Sequence, residues 1–169
     1  MFSQIIGAGS ALPKQVIANK DLSRQIGLSE DEIEKKTGIV TRHWVSPEET
    51  TATLAIDAAK TALQSANLPA SAIDLIVVST SSPDMLFPSV ACLVQKGLTC
   101  RAVPAFDINA SCTGFLYALT VGDQFLKGGK AKNALIIASE VKSIYLNRNH
   151  PQTASLFGDG AGAVVLSNT

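Results

Sequence analysis

"FDINASCTGFLYAL", residues 106–119, joins a strand-like run to a helix-like one within a few residues. Its first part, with Ala105 before it, is a short β-favouring run. "NAS" (109–111) supplies turn formers, and "TGFLYALTVGDQFLKGG" (113–129) has helical spacing closed by paired glycines. Working outward, "AIDLIVVST" (72–80) is a continuous branched apolar run, the mark of a strand buried on both faces. "NALIIASE" (133–140) and "AGAVVLS" (161–167) read as further strands, and "SQIIGAGSALP" (3–13) as a short strand at Ile5 and Ile6 stopped by Pro13. The stretch 46–69 predicts an amphipathic helix with Leu54, Ala55, Ala58, Ala59, Ala62 and Leu63 on one face. "PSVACLVQKGL" (88–98) predicts another, with Pro near its start and Gly97 near its end. Residues 19–39 are polar and carry two short helical patches, with Asn19 and Ser29 as N-caps and Gly38 as a terminator. The stretch holding "NRNHPQ" (147–152) reads as irregular. This alternation predicts a parallel or mixed sheet with helices on both faces, and no repeat or linker divides the chain.

Fourteen basic residues balance fourteen acidic ones, and no Lys/Arg run exceeds Lys35–Lys36, so neither nucleic acid nor an anionic membrane is expected as a partner. Hydrophobic residues make up 46% and charged residues 17%, the balance of a soluble globular domain rather than a disordered chain. The amino terminus lacks a basic start followed by an apolar core, and the apolar runs fall far short of the ~20 residues that span a bilayer. A cytoplasmic location and a small-molecule or protein partner are the expectation.

Cys92, Cys100 and Cys112 fit neither zinc knuckles nor a redox pair, and His43 and His150 are too scattered for a His-based site, so no metal is expected. Cys112 falls where a strand gives way to a helix. A thiol in a first helical turn feels the positive helix end, and free N–H groups there can hold the oxyanion of an attacked thioester. The alternative is a small apolar residue filling the joint. Cys92, within "SVACLVQ", reads as core, and nothing around Cys100 resembles a site. "FGDGAGAVVL" (157–166) lacks the Lys-Ser/Thr of a phosphate loop and leads into a strand. It reads as a tight turn in which Gly158 and Gly160 are free to take positive φ and Asp159 bonds nearby amides, with a catalytic role as the alternative.

Taken together, "GAGSALP", "TGIVTRH", "LIVVSTSSPD", "FPSVACLVQ", "FDINASCTGFLYAL" and "FGDGAGAVVL", in this order, resemble the amino-terminal half of β-ketoacyl-acyl carrier protein synthase III, of the thiolase superfamily. The resemblance implies a thiolase-like three-layer α/β/α fold of two similar halves, each with a five-stranded mixed sheet. Residues 1–169 would be the nucleophile-bearing half, the carboxyl-terminal half lying outside this chain. It raises Cys112 to the nucleophile of a decarboxylating Claisen condensation in fatty acid or related biosynthesis. Cys112 takes an acyl group, and malonyl-carrier protein then loses carbon dioxide and attacks it. No cofactor is implied; an acyl thioester of coenzyme A or of acyl carrier protein is the substrate. The implied partners are the carboxyl-terminal half, which carries the decarboxylating histidine and asparagine, a second copy in a homodimer, and acyl carrier protein. This half alone is expected to be inactive.

The alternatives are an acyltransferase of this fold that does not decarboxylate, and a non-catalytic partner half. Neither His43, whose Arg-His pair is taken as structural, nor His150 matches the family histidine. Phe87 matches a residue that closes the acyl pocket across the dimer, the alternative being burial in its own subunit. Lys36 is assigned to the pantetheine and nucleotide mouth. Glu32 and Lys36 stand where the family commonly has a tryptophan and an arginine, and Pro151 where it often has an arginine, so acyl-coenzyme A is expected to be the poorer donor.

Overall fold

The computed structural model describes residues 2–168. In chain order its elements are β1 (Ser3–Ala11), β2 (Gln15–Ala18), α1 (Asn19–Ile26), α2 (Glu30–Thr37), β3 (Thr41–Trp44) and α3 (Thr51–Ser65). They continue with β4 (Leu75–Ser79), α4 (Val90–Gly97), β5 (Ala105–Ile108), α5 (Gly114–Lys127), β6 (Asn133–Glu140), α6 (Pro151–Ala154) and β7 (Gly160–Asn168). The described residues gather into two compact units. One takes residues 2–11, 51–140 and 161–168, the other residues 12–50 and 141–160.

In the first unit, β4 is buried at every position, which requires cover on both faces. It lies inside a five-stranded sheet ordered β1-β7-β6-β4-β5, parallel to both β5 and β6, while β1 runs antiparallel to β7. Helix α3 packs on β1 and β6, and α5 on β6 and β4. Because successive strand residues point to opposite faces, Leu75, Val77 and Ile136 meet α5 while their neighbours face the other way. The result is a thiolase-like three-layer α/β/α arrangement with a mixed sheet. Burying each such Leu, Ile or Val contributes roughly 1.5–3 kcal/mol.

The predicted face of α3 is the buried one, from Leu54 through Leu63. Its alanines let the helix ride directly on β1, where a Cβ at Gly7 or Gly9 would overlap the backbone of Ala62. The strand therefore extends over nine residues rather than just Ile5 and Ile6. The large apolar residues of α5 do not form its inner stripe. Gly114, Ala118, Gly122 and Leu126 do, four residues apart, with Phe115, Leu119, Val121 and Phe125 packed along the flanks. Carboxylates hold the orphan N–H groups at two helix starts. Asp84 accepts from Thr51 N (2.8 Å) and Ala52 N (2.9 Å), and Asp107 from Val90 N and Ala91 N (both 2.8 Å).

The second unit is built on Ile17, Leu22, Ile26, Ile33, Trp44 and Ala154. Its hairpin of β2 and β3 lay outside the sequence reading, since two four-residue strands are too short to show a period. Ser29 and Gly38 cap α2 as predicted, Gly38 at φ 71°. Asn19, in contrast, is the first residue of α1. Ala18 holds the cap position and its N–H donates to the Asp21 carboxylate (2.9 Å). The stretch read as irregular contains α6, which Pro151 opens. Each unit is assembled from separated stretches, so a search for a linker along the chain finds none. Among the described residues no helix is long and apolar enough to cross a membrane.

Candidate active site

Strand β5 ends at Ile108, and six residues later α5 begins. Between them Ser111 takes φ +48°, a left-handed conformation that costs an L-residue roughly 1–2 kcal/mol and reverses the chain sharply. A 3-10 turn, Ser111–Thr113, leads directly into the helix. It is tied back at Ala110 O, which accepts from Thr113 Oγ1 (3.0 Å) and Thr113 N (3.3 Å). Ser111, Cys112 and Thr113 are all exposed. The open thiol therefore stands at the carboxyl end of a parallel strand and the start of a fourteen-residue helix. This is where open α/β sheets present reacting groups and where helix N–H groups favour developing negative charge. The arrangement can bring an electrophilic carbonyl to sulfur with nothing to displace first.

The other thiols differ. Cys92 is half-buried rather than fully in the core, and its thiol donates to Ala105 O at 3.7 Å. Cys100 is also half-buried; burial pushes its thiol up, against the smaller opposing pull of Arg101.

Phe87 is 86% exposed in this chain. Met85 and Leu86 beside it are also exposed. The segment presenting them is anchored. Glu140 accepts from Ser81 N and Ser81 Oγ (both 2.8 Å) and from Ser82 Oγ, and Thr51 Oγ1 donates to Ser82 O (2.6 Å). Nothing periodic in the sequence marks Glu140, Asp84 or Asp107 for these roles.

Within the second unit, Lys36 lines a cavity of about 410 Å³ with Leu28, Thr37, His150, Pro151 and Leu156. Glu32 is occupied elsewhere. Its carboxylate accepts from Ser29 N (2.8 Å) and Ser29 Oγ (2.9 Å), a capping box that holds its pKa below the ordinary range, chiefly through the backbone bond. The S-x-x-E spacing from Ser29 to Glu32 is the sequence signal of this box, and it adds Glu32 to the cap expected at Ser29.

Arg42 and His43 are structural, as expected. The Arg42 guanidinium, pushed down by burial, donates to Ile17 O (3.3 Å) and Ser155 O (2.9 Å). His43 Nδ1 lies 2.6 Å from Pro13 O, which can only accept, so that nitrogen carries the proton. Asp159 bonds backbone amides as read: Val45 N (2.8 Å), Lys142 N (2.7 Å) and Ser143 N (2.8 Å), with Ser143 Oγ as a fourth donor. The expectation for its glycines needs correcting. Among the described glycines positive φ occurs at Gly27, Gly38 and Gly129, and neither Gly158 nor Gly160 uses it. Gly158 serves close approach instead, since a Cβ there would lie 3.3 Å from Arg42 Cβ and 3.4 Å from His43 O.

A family model described as 3-oxoacyl-[acyl-carrier-protein (ACP)] synthase III matches residues 106–169, from β5 through the cysteine turn to β7. The chain is 46% identical over 165 residues to a β-ketoacyl-[acyl-carrier-protein] synthase III of Thioalkalivibrio sulfidiphilus, covering 98% of this chain and 51% of that protein. It is 47% identical over 169 residues to one from Alkalilimnicola ehrlichii, covering 99% of this chain and 52% of the relative. The crystal structure of 3-oxoacyl-[acyl-carrier-protein] synthase III from Aquifex aeolicus superposes with a TM-score of 0.95 at 47% identity, over 99% of this chain and 54% of that one. The chain thus spans about half the length of the curated relatives it matches. By sequence along nearly all its length and by fold, the chain resembles about half of a β-ketoacyl-[acyl-carrier-protein] synthase III.

Proposed function

We propose that this chain is the acyl-accepting, amino-terminal half of a condensing enzyme, with Cys112 as its nucleophile. The observation that carries this reading is an exposed thiol at the β5–α5 turn, in a chain 46–47% identical to two β-ketoacyl-[acyl-carrier-protein] synthases III. The Cys112 thiolate adds to the carbonyl carbon of an acyl thioester, the tetrahedral oxyanion collapses, and the thiol of coenzyme A or carrier protein leaves. A malonyl-carrier protein then loses carbon dioxide. Its carbanion attacks the acyl-enzyme and frees Cys112, giving a β-ketoacyl thioester without any cofactor. The decarboxylating groups come from a carboxyl-terminal half, so this half alone is inactive. Apolar residues left open on α5, Leu116 at 60% and Tyr117 at 55% exposure, support a covering segment of that kind. Phe87 closes the acyl pocket of a second copy in a homodimer, and its exposure on an anchored segment supports that role. A cytoplasmic enzyme of fatty acid or related biosynthesis is the setting.

Loading the complete protein with an acyl thioester and mapping the adduct by mass spectrometry tests the first step. Cys112→Ala should reduce loading by at least about a thousandfold. Undiminished loading, or an adduct elsewhere, refutes the reading. Release of carbon dioxide from malonyl-carrier protein separates condensation from plain acyl transfer.

The donor is a carrier-bound acyl group in preference to acyl-coenzyme A. Lys36, which lines a cavity of the second unit, would take the nucleotide mouth, while Glu32 offers no aromatic face and is held in the cap of α2. Losing one base-stacking contact corresponds to roughly ten- to a hundredfold in specificity constant. Equal constants for the two donors would refute the preference.

A further inference from the structure

Ser79 is the last residue of β4, buried, and in register with Ile108 of β5 and Ala138 of β6. It therefore sits inside the sheet at its carboxyl edge, beside the strand that leads to Cys112. Gly114 opens α5 two residues beyond Cys112 and is buried as well. A Cβ at position 114 would overlap Ser79 Oγ and stand 3.2 Å from Ser79 Cβ. The glycine is not there for its backbone, because φ −60° and ψ −37° are ordinary helical values that any residue adopts. Glycine is the poorer helix former, so alanine would be favoured at this position if space allowed. The space does not allow it, and the atom that takes the space belongs to Ser79.

We propose that the contact between Ser79 and Gly114 is the seat that fixes how the Cys112 turn stands on the sheet. Both are positioning residues, acting through the turn rather than on the substrate, and the bulk of residue 79 decides how the thiol meets an acyl donor. The turn has little other support. Ser111, Cys112 and Thr113 are exposed, and the turn is held by bonds within itself, from Thr113 to Ala110 O and from Gly114 N to Ser111 O. A helix start lifted off β4 by one methyl group would carry the sulfur with it. This inference rests on Cys112 as the acyl acceptor.

The test uses the complete protein with Gly114→Ala, Ser79→Gly and the double variant. The rates read by mass spectrometry are acylation of Cys112 by an acyl thioester and alkylation of Cys112 and Cys100 by iodoacetamide. Gly114→Ala should slow acylation about ten- to a hundredfold, the scale expected of a misplacement near 1 Å, with kcat falling more than KM. Cys100 alkylation should stay unchanged. Ser79→Gly removes the obstructing Cβ and Oγ, so in the double variant both Cys112 rates should return to within about threefold of the protein carrying Ser79→Gly alone.

A double variant as slow as Gly114→Ala overturns the proposal. So does a Gly114→Ala protein that labels faster at Cys100 with no selective change at Cys112, because that is general loosening. If Gly114→Ala does not fold, recovery of both folding and Cys112 reactivity by Ser79→Gly supports the seat, and failure of the double variant to fold overturns it. If Cys112 is not the acyl acceptor, acylation at 112 is absent even from the parent protein. The alkylation rates then still report on the contact.

Discussion

Two turns of small residues serve this chain in opposite ways. At residues 110–114 the chain reverses through a left-handed Ser111 and leaves three consecutive side chains, Cys112 among them, open to solvent. At residues 157–160 the buried Asp159 carboxylate takes three backbone N–H groups and a hydroxyl, Trp44 Nε1 donates to Phe157 O (3.0 Å), and Gly158 lies close against Arg42 and His43. Each stretch contains a glycine that serves close approach, Gly114 in the first and Gly158 in the second. The second is saturated with internal partners, while the first leaves its side chains exposed. Composition does not distinguish a reactive turn from a structural one; hydrogen-bond bookkeeping does.

The contrast breaks most readily at Asp159. Replacing it with alanine leaves three backbone donors and a hydroxyl without their acceptor, and should destabilise the complete protein by about 3–5 kcal/mol. Denaturant unfolding measures this. A loss under about 1 kcal/mol would mean that the turn is not held as described.

The reactive side of the comparison is sharpened by competition among the thiols. Brief treatment of the complete protein with iodoacetamide should label Cys112 at least about tenfold faster than Cys100, whose burial disfavours the thiolate. Peptide mass spectrometry gives the order, and Cys100 labelling first would reverse the assignment.

A second carboxylate, Asp74, lies between the extremes. Burial alone would push Asp74 up, but the N–H groups of Asn133 (2.9 Å) and Lys132 (2.7 Å), with Arg101, outweigh it and hold its pKa below the ordinary value. A carboxylate depressed in the folded state stabilises above its unfolded pKa of about 4, and that contribution is lost as pH falls through the lower folded value. At neutral pH, Asp74→Asn should cost about 1 kcal/mol, modest because Arg101 is half exposed. The difference in thermal stability from the parent protein should shrink between about pH 4 and pH 2. A gap that widens on acidification would reverse the sign of this linkage.

Much of the first unit was legible in the sequence. The α3 stripe, the fully buried β4 and the junction that carries Cys112, and in the second unit the Ser29 and Gly38 caps, follow from local periodicity and local turn chemistry. The β2–β3 hairpin of the second unit was not, because these strands are four residues each and pair across at least 23 positions, Ala18 with Thr41. Phe87 shows the same boundary: its resemblance suggested a role outside the subunit, and only the structure could tell exposure from burial.

The sequence by itself determined the alternation of strand and helix and the position of Cys112 between them. These depend on propensity and spacing over a few residues, which a linear chain displays. The tertiary structure decided what long-range packing alone can decide. It put small residues rather than large ones on the inner stripe of α5, gave Glu32 to a helix cap, and turned Asp159 into the acceptor for amides more than a hundred residues away at Val45. It also set Gly114 against Ser79. Such pairings satisfy buried polar groups and fill space between distant segments, and no local pattern encodes a partner 35 or 114 positions along the chain.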